Sequence, residues 1–403
     1  MSDSRQAFRE LLALLAEIDT ACVGESDATK SALDVADGHR MVLHGLRRAL
    51  GSQLDADPYR PVLRRAITPV MKFGGDSPDA VYHECNIAAD ASYRIRGNVA
   101  GAVYVSVAVQ SADAVGEGVG ATLNSEEFDV APDGSFEIEA TPAAAAGERN
   151  RLRIPAGGFS VFARHYYEGV NCAMAESGRR IPLQIECTSG RPHASEPDAA
   201  AIATGIARVT RLLRSRTIDE MRGRGAVPAW VSRVPNRFNE VQKPDAGMAY
   251  AALDIAYAMA PFHVPEGKAL VMSGRFPACR YAGVVLWTRF RQSFDYLNRR
   301  VSLNRTQTVP ETDGSYRIVI AARDPGVPNW LDTTGHAQGF LSPRWAYSEQ
   351  PPVEQWPEIT ATKVRFDEIR ARLHPSTPTV GPDQRRREIE MRQRHVRKRY
   401  RVF

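Results

Sequence analysis

The chain has 403 residues, 43% of them apolar and 25% charged, with a formal net charge of +5. This is ordinary globular composition, and it excludes a collagen-like or wholly disordered chain. The length exceeds what one hydrophobic core usually serves, so two or three domains are expected, and no apolar run is long enough for a transmembrane span.

Residues 5–23 have helical spacing, with Phe8, Leu11, Leu12, Leu15 and Ile18 recurring at three and four. A second helix is expected from Ser31 to about Leu50, where Gly51 is a plausible stop, and Pro58 and Pro61 then bracket a turn. Arg9, Glu10, Glu17 and Asp19 interrupt the apolar N-terminal stretch. It therefore lacks the character of a secretory signal, and a cytoplasmic protein is expected.

After about Ala80 the period changes to two. Tyr82, Glu84 and Asn86 alternate with His83, Cys85 and Ile87, and Val103, Val105, Val107 and Val109 alternate with Tyr104, Ser106 and Ala108. That is half-buried antiparallel sheet. SFEIEA, RLRIPA, GFSVFARHYYEG and IPLQIECTS add short strands, with Asp133-Gly134 a tight-turn signal.

Helical patterning returns in EPDAAAIATGIARVTRLLRSRTIDEM and DAGMAYAALDIAYAMAPF, the second ended by Pro261. Strands resume at ALVMSGRFPACRYAGVVLWTRF and continue through SYRIVIAARDP, and PEITATKVRFDEIRARLH is read as a last helix before the tail.

The expected fold is mainly β with helical insertions, built as a jelly-roll-like antiparallel β-sandwich from two β blocks. The divisions are a helical region (1–70), a first β block (71–191), a helical insertion (192–263), a C-terminal β block (264–350), and a helical region with a basic tail (351–403). PDGSFEIEA and TDGSYRIVI echo each other in turn, aromatic and alternation. Duplication would explain the echo, but so would the sameness of Asp-Gly turns that feed strands, which is the blander account.

From Asp383 to Phe403 nine Lys or Arg face three acids, a net of +6, leaving the body near −1. The high pI thus describes a tail. Ile389, Arg392, Val396, Arg399 and Phe403 give it a thin helical stripe, suited to docking on the body or on a partner subunit, with a disordered end the next choice. Nucleic-acid binding is not expected, because no zinc finger or single-strand module is present. The five cysteines, Cys22, Cys85, Cys172, Cys187 and Cys279, are odd in number and form no CxxC, so free thiols are expected and a zinc site is not.

GGDSPDAVYHECNIAADASYRIRGN, PDGSFEI, RFPACRYAGVVLWTRFRQSFDYLNRRVSLNRTQTV and DPGVPNWLDTTGH together resemble bacterial proteins carrying the conserved Domain of Unknown Function number 1214. The likeness is to their longer actinobacterial and proteobacterial branch and covers roughly residues 75–345, with the named domain in the C-terminal block. It implies a jelly-roll-like sandwich and supplies no catalytic residues. Where relatives read GDNPD, this chain has Gly75-Asp76-Ser77-Pro78-Asp79, which keeps a polar turn residue.

Four constellations could carry chemistry. Asp76, Asp79 and Glu84 offer paired carboxylates, although Asp-Ser-Pro-Asp is also a good turn. His165 lies between Arg164 and Tyr166, which share the opposite strand face, and an imidazole is the usual base near neutral pH. Trp287, Arg289 and Arg291 alternate along one strand face and could hold an anion; cross-strand ion pairing is the plainer use. Trp330 and His336 lie on a Pro- and Gly-rich loop, Trp330 to plug the core or touch a ligand, His336 to act as a base oriented by Asp332.

No nucleotide-binding, lipase or zincin motif occurs, so no cofactor and no metal are expected. The leading expectation is binding of a small, partly apolar, anionic ligand through Arg164, Tyr166, Trp287, Arg289, Arg291 and Trp330. The alternatives are a cofactor-independent hydrolase, dehydratase or isomerase using His165, Asp76, Asp79 or His336, and an accessory or assembly subunit tethered through its terminal helices, as a homo-oligomer or with another protein.

Overall fold

The computed structural model describes residues 3–23, 31–113, 116–169, 183–190, 198–220, 227–347 and 351–400. Eighteen strands form four sheets. In the first block, β1 (Arg64–Ile67), β2 (Ala80–Asn86), β4 (Tyr104–Ala112), β5 (Glu117–Asn124) and β8 (Gly158–Tyr166) make one sheet, in the order β1-β2-β8-β4-β5. Its mate contains β3 (Tyr93–Asn98), β6 (Ser135–Thr141), β7 (Arg151–Arg153) and β9 (Gln184–Cys187), in the order β7-β6-β3-β9. The alternation read from the sequence makes this a sandwich. Val105, Val107, Val109, Val161 and Cys85 face Tyr93, Ile95, Phe136, Ile138 and Leu152 in one core.

The second block repeats the plan. β10 (Ile255–Tyr257) and β11 (Ala260–His263) both pair with β17 (Gln338–Ala346), followed by β13 (Tyr281–Trp287) and β14 (Ser302–Asn304). The mate runs β16 (Trp330–Asp332), β15 (Ser315–Ala321), β12 (Lys268–Arg275), β18 (Ile359–Arg365). Each block carries one parallel pair at the same place, β6 with β7 and β15 with β16.

Registers match as well: Tyr82 lies opposite Arg164 as Tyr257 lies opposite Arg344, and Tyr104 opposite Tyr166 as Tyr281 opposite Ala346. Asp133 accepts from the N–H and hydroxyl of Ser135, and Asp313 does the same for Ser315. Gly134 and Gly314 both hold positive φ, 84° and 79°. The echo between these turns thus marks a repeated connectivity, and the blander account is set aside.

The two sandwiches meet through the remaining faces of the sheets holding β8 and β13. Tyr82, Tyr104, Phe162 and Tyr166 pack there with Tyr281, Ile255 and Ala346. Two hydrogen bonds cross reciprocally: Tyr104 Oη donates to Asp254 Oδ2 (2.8 Å), and Tyr281 Oη donates to Asp79 Oδ2 (3.0 Å). The two aspartates are equivalent, since Tyr167 N–H donates to Asp79 O and Tyr347 N–H to Asp254 O.

Helices α1 (Asp3–Ile18), α2 (Ala32–Gln53) and α3 (Ala199–Arg214) share one apolar cluster with Leu14, Ile18, Met41, Val209 and Leu213. Ser31 caps α2 in a capping box with Asp34, one residue from the expected start.

Two helix expectations are corrected. DAGMAYAALDIAYAMAPF forms turns followed by β10 and β11, because its small apolar residues lie between packed layers and are buried on both faces. PEITATKVRFDEIRARLH forms β18 and two short 3₁₀ turns, its β-branched Ile359, Thr360, Thr362 and Val364 pairing along β12.

The basic tail is helix α4 (Pro382–Tyr400), and it docks on the body. Val396 and Tyr400 enter the second core, and Arg392 donates to Tyr296 O at 2.8 Å. Arg385 pairs with Asp324 at 2.8 Å. Arg399 donates to Pro78 O and Tyr400 Oη to Ala80 O, so the helix also reaches the first block. Phe403 lies outside the described residues.

Removing residues from Pro382 onward should cost at least about 3 kcal/mol, since two side chains leave a core. Thermal denaturation should show a clear fall in Tm; an unchanged Tm would mean the helix adds nothing to the fold.

Candidate functional site

Most of the residues singled out in the sequence separate into three places. Inside the first sandwich lies His165, on the core face of β8, T-shaped to His83 with ring centroids 6.3 Å apart. Burial holds its imidazole down to about 3, against a raising backbone contact at Asn98. It thus stays neutral at physiological pH, enclosed among core residues with none of its surface exposed.

The layer between the sandwiches gathers Arg164, Tyr166, Trp287, Asp79 and Glu84. Arg164 donates to Tyr250 O (2.7 Å) and Ala251 O, and Tyr166 packs on Tyr281 with centroids 5.0 Å apart. Trp287 Nε1–H donates to Asp76 O at 2.8 Å, and the Arg344 guanidinium lies 5.0 Å from its ring. Glu84 takes both oxygens to Arg48 Nη2 at 2.8 Å, both residues buried. These groups bind one another and hold the layer together.

The third place is a cleft of about 190 Å³ between α2 and the second block. Leu33, Asp37 and Arg40 of α2 line one side, Thr288, the run from Gln292 to Asp295 and Arg299 another, and Lys72, Thr334 and His336 close it. His336 is its best-held polar group. Nε2 lies 2.8 Å from Asp37 Oδ2, Nδ1 lies 3.1 Å from both Thr334 Oγ1 and Thr333 O, and the ring stacks on Phe294 at 4.5 Å. Nε2–H can donate to Asp37 while Nδ1 accepts from the Thr334 hydroxyl, so both ring nitrogens are engaged.

The orienter of His336 is therefore Asp37, which corrects the expectation of Asp332. Asp332 instead accepts from Thr334 N–H (2.7 Å) and faces Arg299 (3.5 Å).

Lys72 is fully buried, and its Nζ donates to the carbonyls of Ser293 and Phe294. Burial brings its ammonium down to about 8, opposed by the Asp76 carboxylate. Asp76 lies beneath the cleft floor, accepting from Ser293 N–H at 2.7 Å and from the Ser293 hydroxyl, and burial pushes its carboxyl up. His44, on the same helix as Asp37, meets Gln292 at 3.2 Å and is lowered to about 4 by burial.

The expected strand face of arginines ends early. β13 stops at Trp287, so Arg289 and Arg291 occupy the following turn. Arg289 donates to Gln338, and Arg291, at φ 56°, pairs with Glu220. Trp330 lies in β16 as a core plug, its Nε1–H donating to Ala321 O at 3.0 Å. Arg289, His165 and Trp330 are not brought into one pocket.

Asp37, Arg40, Lys72, Asp295 and Arg299 escaped the sequence reading. One signal was present. Gly38 lies inside α2, where a Cβ would come within 2.8 Å of Phe290 and Val23. A helix-interior glycine of this kind marks a close approach, here of α2 to the cleft-forming turn.

Among the described residues no three His, Cys, Asp or Glu side chains are placed to hold a metal ion. Nor is any helix among them long and apolar enough to cross a membrane. Among the described residues Cys85, Cys187 and Cys279 are free thiols, and Cys172 lies outside them.

No family model matches the chain, and no curated protein matches it. Among solved structures, an uncharacterised protein from Burkholderia cenocepacia is similar over 90% of this chain and 97% of its own, with a TM-score of 0.75 and 23% identity. Similarity at this level shows a shared fold. A Vibrio parahaemolyticus protein aligns over 80% of this chain and 98% of its own, with a TM-score of 0.48 and 10% identity.

The buried imidazole makes a pH prediction. Between about 3 and 6.5 the unfolded chain binds a proton at residue 165 that the folded chain excludes, so stability falls as pH drops through that window. Urea unfolding at pH 7.5 and 4.5 should show this loss, and His165→Leu should reduce it. An equal loss in the variant would place the acid sensitivity elsewhere.

Proposed function

We propose that the protein binds a small, partly apolar anion in the cleft between α2 and the second sandwich. The observation that supports this reading is the lining. Arg40, Lys72 and Arg299 supply positive charge, His336 a positioned imidazole, and Leu33 and Phe294 apolar surface, in one concavity. Arg40 also lies 3.9 Å from Asp37 and Arg299 3.5 Å from Asp332, and both arginine side chains stay exposed enough to meet a ligand as well. The anionic-ligand expectation thus moves from Arg164, Tyr166, Trp287, Arg289, Arg291 and Trp330 to residues of the cleft.

A second reading, cofactor-independent proton transfer on the bound ligand, rests on the Asp37–His336 pair at the cleft wall and requires the Thr334 hydroxyl to turn away from Nδ1 so that the ring can meet a ligand. The free thiols of Cys85, Cys187 and Cys279 suit a reducing, cytoplasmic setting. The accessory-subunit reading keeps the N-terminal helices as its tether, because α4 is committed to the body.

Thermal shift and isothermal titration with sulfate, oxalate and benzoate test the proposal. At least one anion should raise Tm in a concentration-dependent way, and Arg299→Ala should weaken its binding by about tenfold, the loss of one charge-assisted hydrogen bond. Equal affinity in wild type and Arg299→Ala would remove the cleft from the binding site.

A further inference from the structure

Lysine is rare here: the chain has six, Lys30, Lys72, Lys243, Lys268, Lys363 and Lys398, among 52 basic residues. One of the six is 2% exposed and borders the cleft. Arginine would supply charge at that position, but only lysine can lose its proton and become a nucleophile.

The hydrogen bonding of Lys72 suits the neutral amine. Its two hydrogen-bond acceptors are backbone carbonyls, of Ser293 and Phe294, the Tyr296 ring lies 5.0 Å away, and among the described residues no carboxylate is bonded to it. An amine has two N–H groups and one lone pair. Both carbonyls can therefore be satisfied while the lone pair stays unbound. The nearby Asp76 carboxylate is occupied by the N–H and hydroxyl of Ser293.

Resting on the anion-binding reading of the same cleft, we propose that Lys72 is a nucleophilic amine that forms a Schiff base with a small carbonyl acid, an α-keto or α-aldehydo carboxylate. The nitrogen lone pair adds to the carbonyl carbon, an N–C bond forms, and the carbonyl oxygen takes a proton. The nitrogen then loses its remaining protons as the C–O bond breaks, and the oxygen leaves as water after a second protonation. No oxidant or reductant is needed.

Both ring nitrogens of His336 are engaged, Nε2 by Asp37 and Nδ1 by Thr334 and Thr333, so solvent water carries these protons. Arg40 and Arg299 are the cations available to the substrate carboxylate. The charged groups acting on Lys72 are Asp76, Asp37 and Asp295, which favour its ammonium, and Arg40, which opposes it together with burial. With the ammonium at about 8, about a tenth of the amine is neutral at pH 7.

The test uses the full chain with glyoxylate and cyanoborohydride at pH 7 and 8.5, followed by peptide mass spectrometry. Lys72 should carry the carboxymethyl adduct in excess over the exposed Lys363 and Lys398. Its labelling should saturate with glyoxylate and fall about tenfold in Arg299→Ala. Labelling of Lys363 and Lys398 without Lys72 overturns the proposal.

Thermal shift with glyoxylate, run without reductant, separates the two readings. A shift that Arg299→Ala abolishes, with no Lys72 adduct, leaves anion binding standing and removes the covalent step. Neither shift nor adduct removes both.

Discussion

The architecture depends on a reciprocal pair of hydrogen bonds, Tyr104 to Asp254 and Tyr281 to Asp79, across the face where two like sandwiches meet. Each tyrosine belongs to one block and each aspartate to the other. The arrangement is that of a self-complementary interface between two subunits, realised within one chain. Two sheet faces rich in tyrosine and arginine would be poor surfaces to bury unless their polar atoms met partners. Reciprocity supplies partners twice with one geometry.

Charge in this layer is handled mostly by aromatic rings and backbone carbonyls. Arg344 lies over Tyr257 and Trp287, and Arg164 lies over Phe162. The close carboxylate pairing is Arg48 with Glu84, where the guanidinium also stacks 3.6 Å from the Phe73 ring. A buried pair of this kind adds little net stability while intact, yet losing either partner leaves a desolvated charge and costs about 3–5 kcal/mol.

This layer also explains the position of the cleft. Helix α2 is tied to the first block through Arg48 and Glu84, and to the second through His44 with Gln292 and Asp37 with His336. It braces both blocks, and the cleft is the space left where it crosses the turn after β13. The same helix thus fixes the geometry of His336, a residue 299 positions away from its partner Asp37.

Much of the fold was legible along the chain. Period-two alternation at Val105, Val107 and Val109 located a sandwich face, because side-chain direction in a strand follows from the backbone alone. It also separated His165 from Arg164 and Tyr166. The repeated Asp-Gly turns pointed to the two matching blocks.

The assignments that failed are those where local pattern carries no direction. A run of small apolar residues at 245–262 reads as helix until two layers are seen to enclose it. Arg289 and Arg291 read as a strand face only if the strand continues. The sequence by itself determined the β-rich class, the two blocks and the chemical character of the tail, since these rest on periodicity and composition. Only the tertiary structure decided that Asp37 orients His336, that Lys72 borders a cleft and that the tail docks. Each of these is a contact between distant segments, and no short-range pattern encodes which distant partner satisfies a buried polar group.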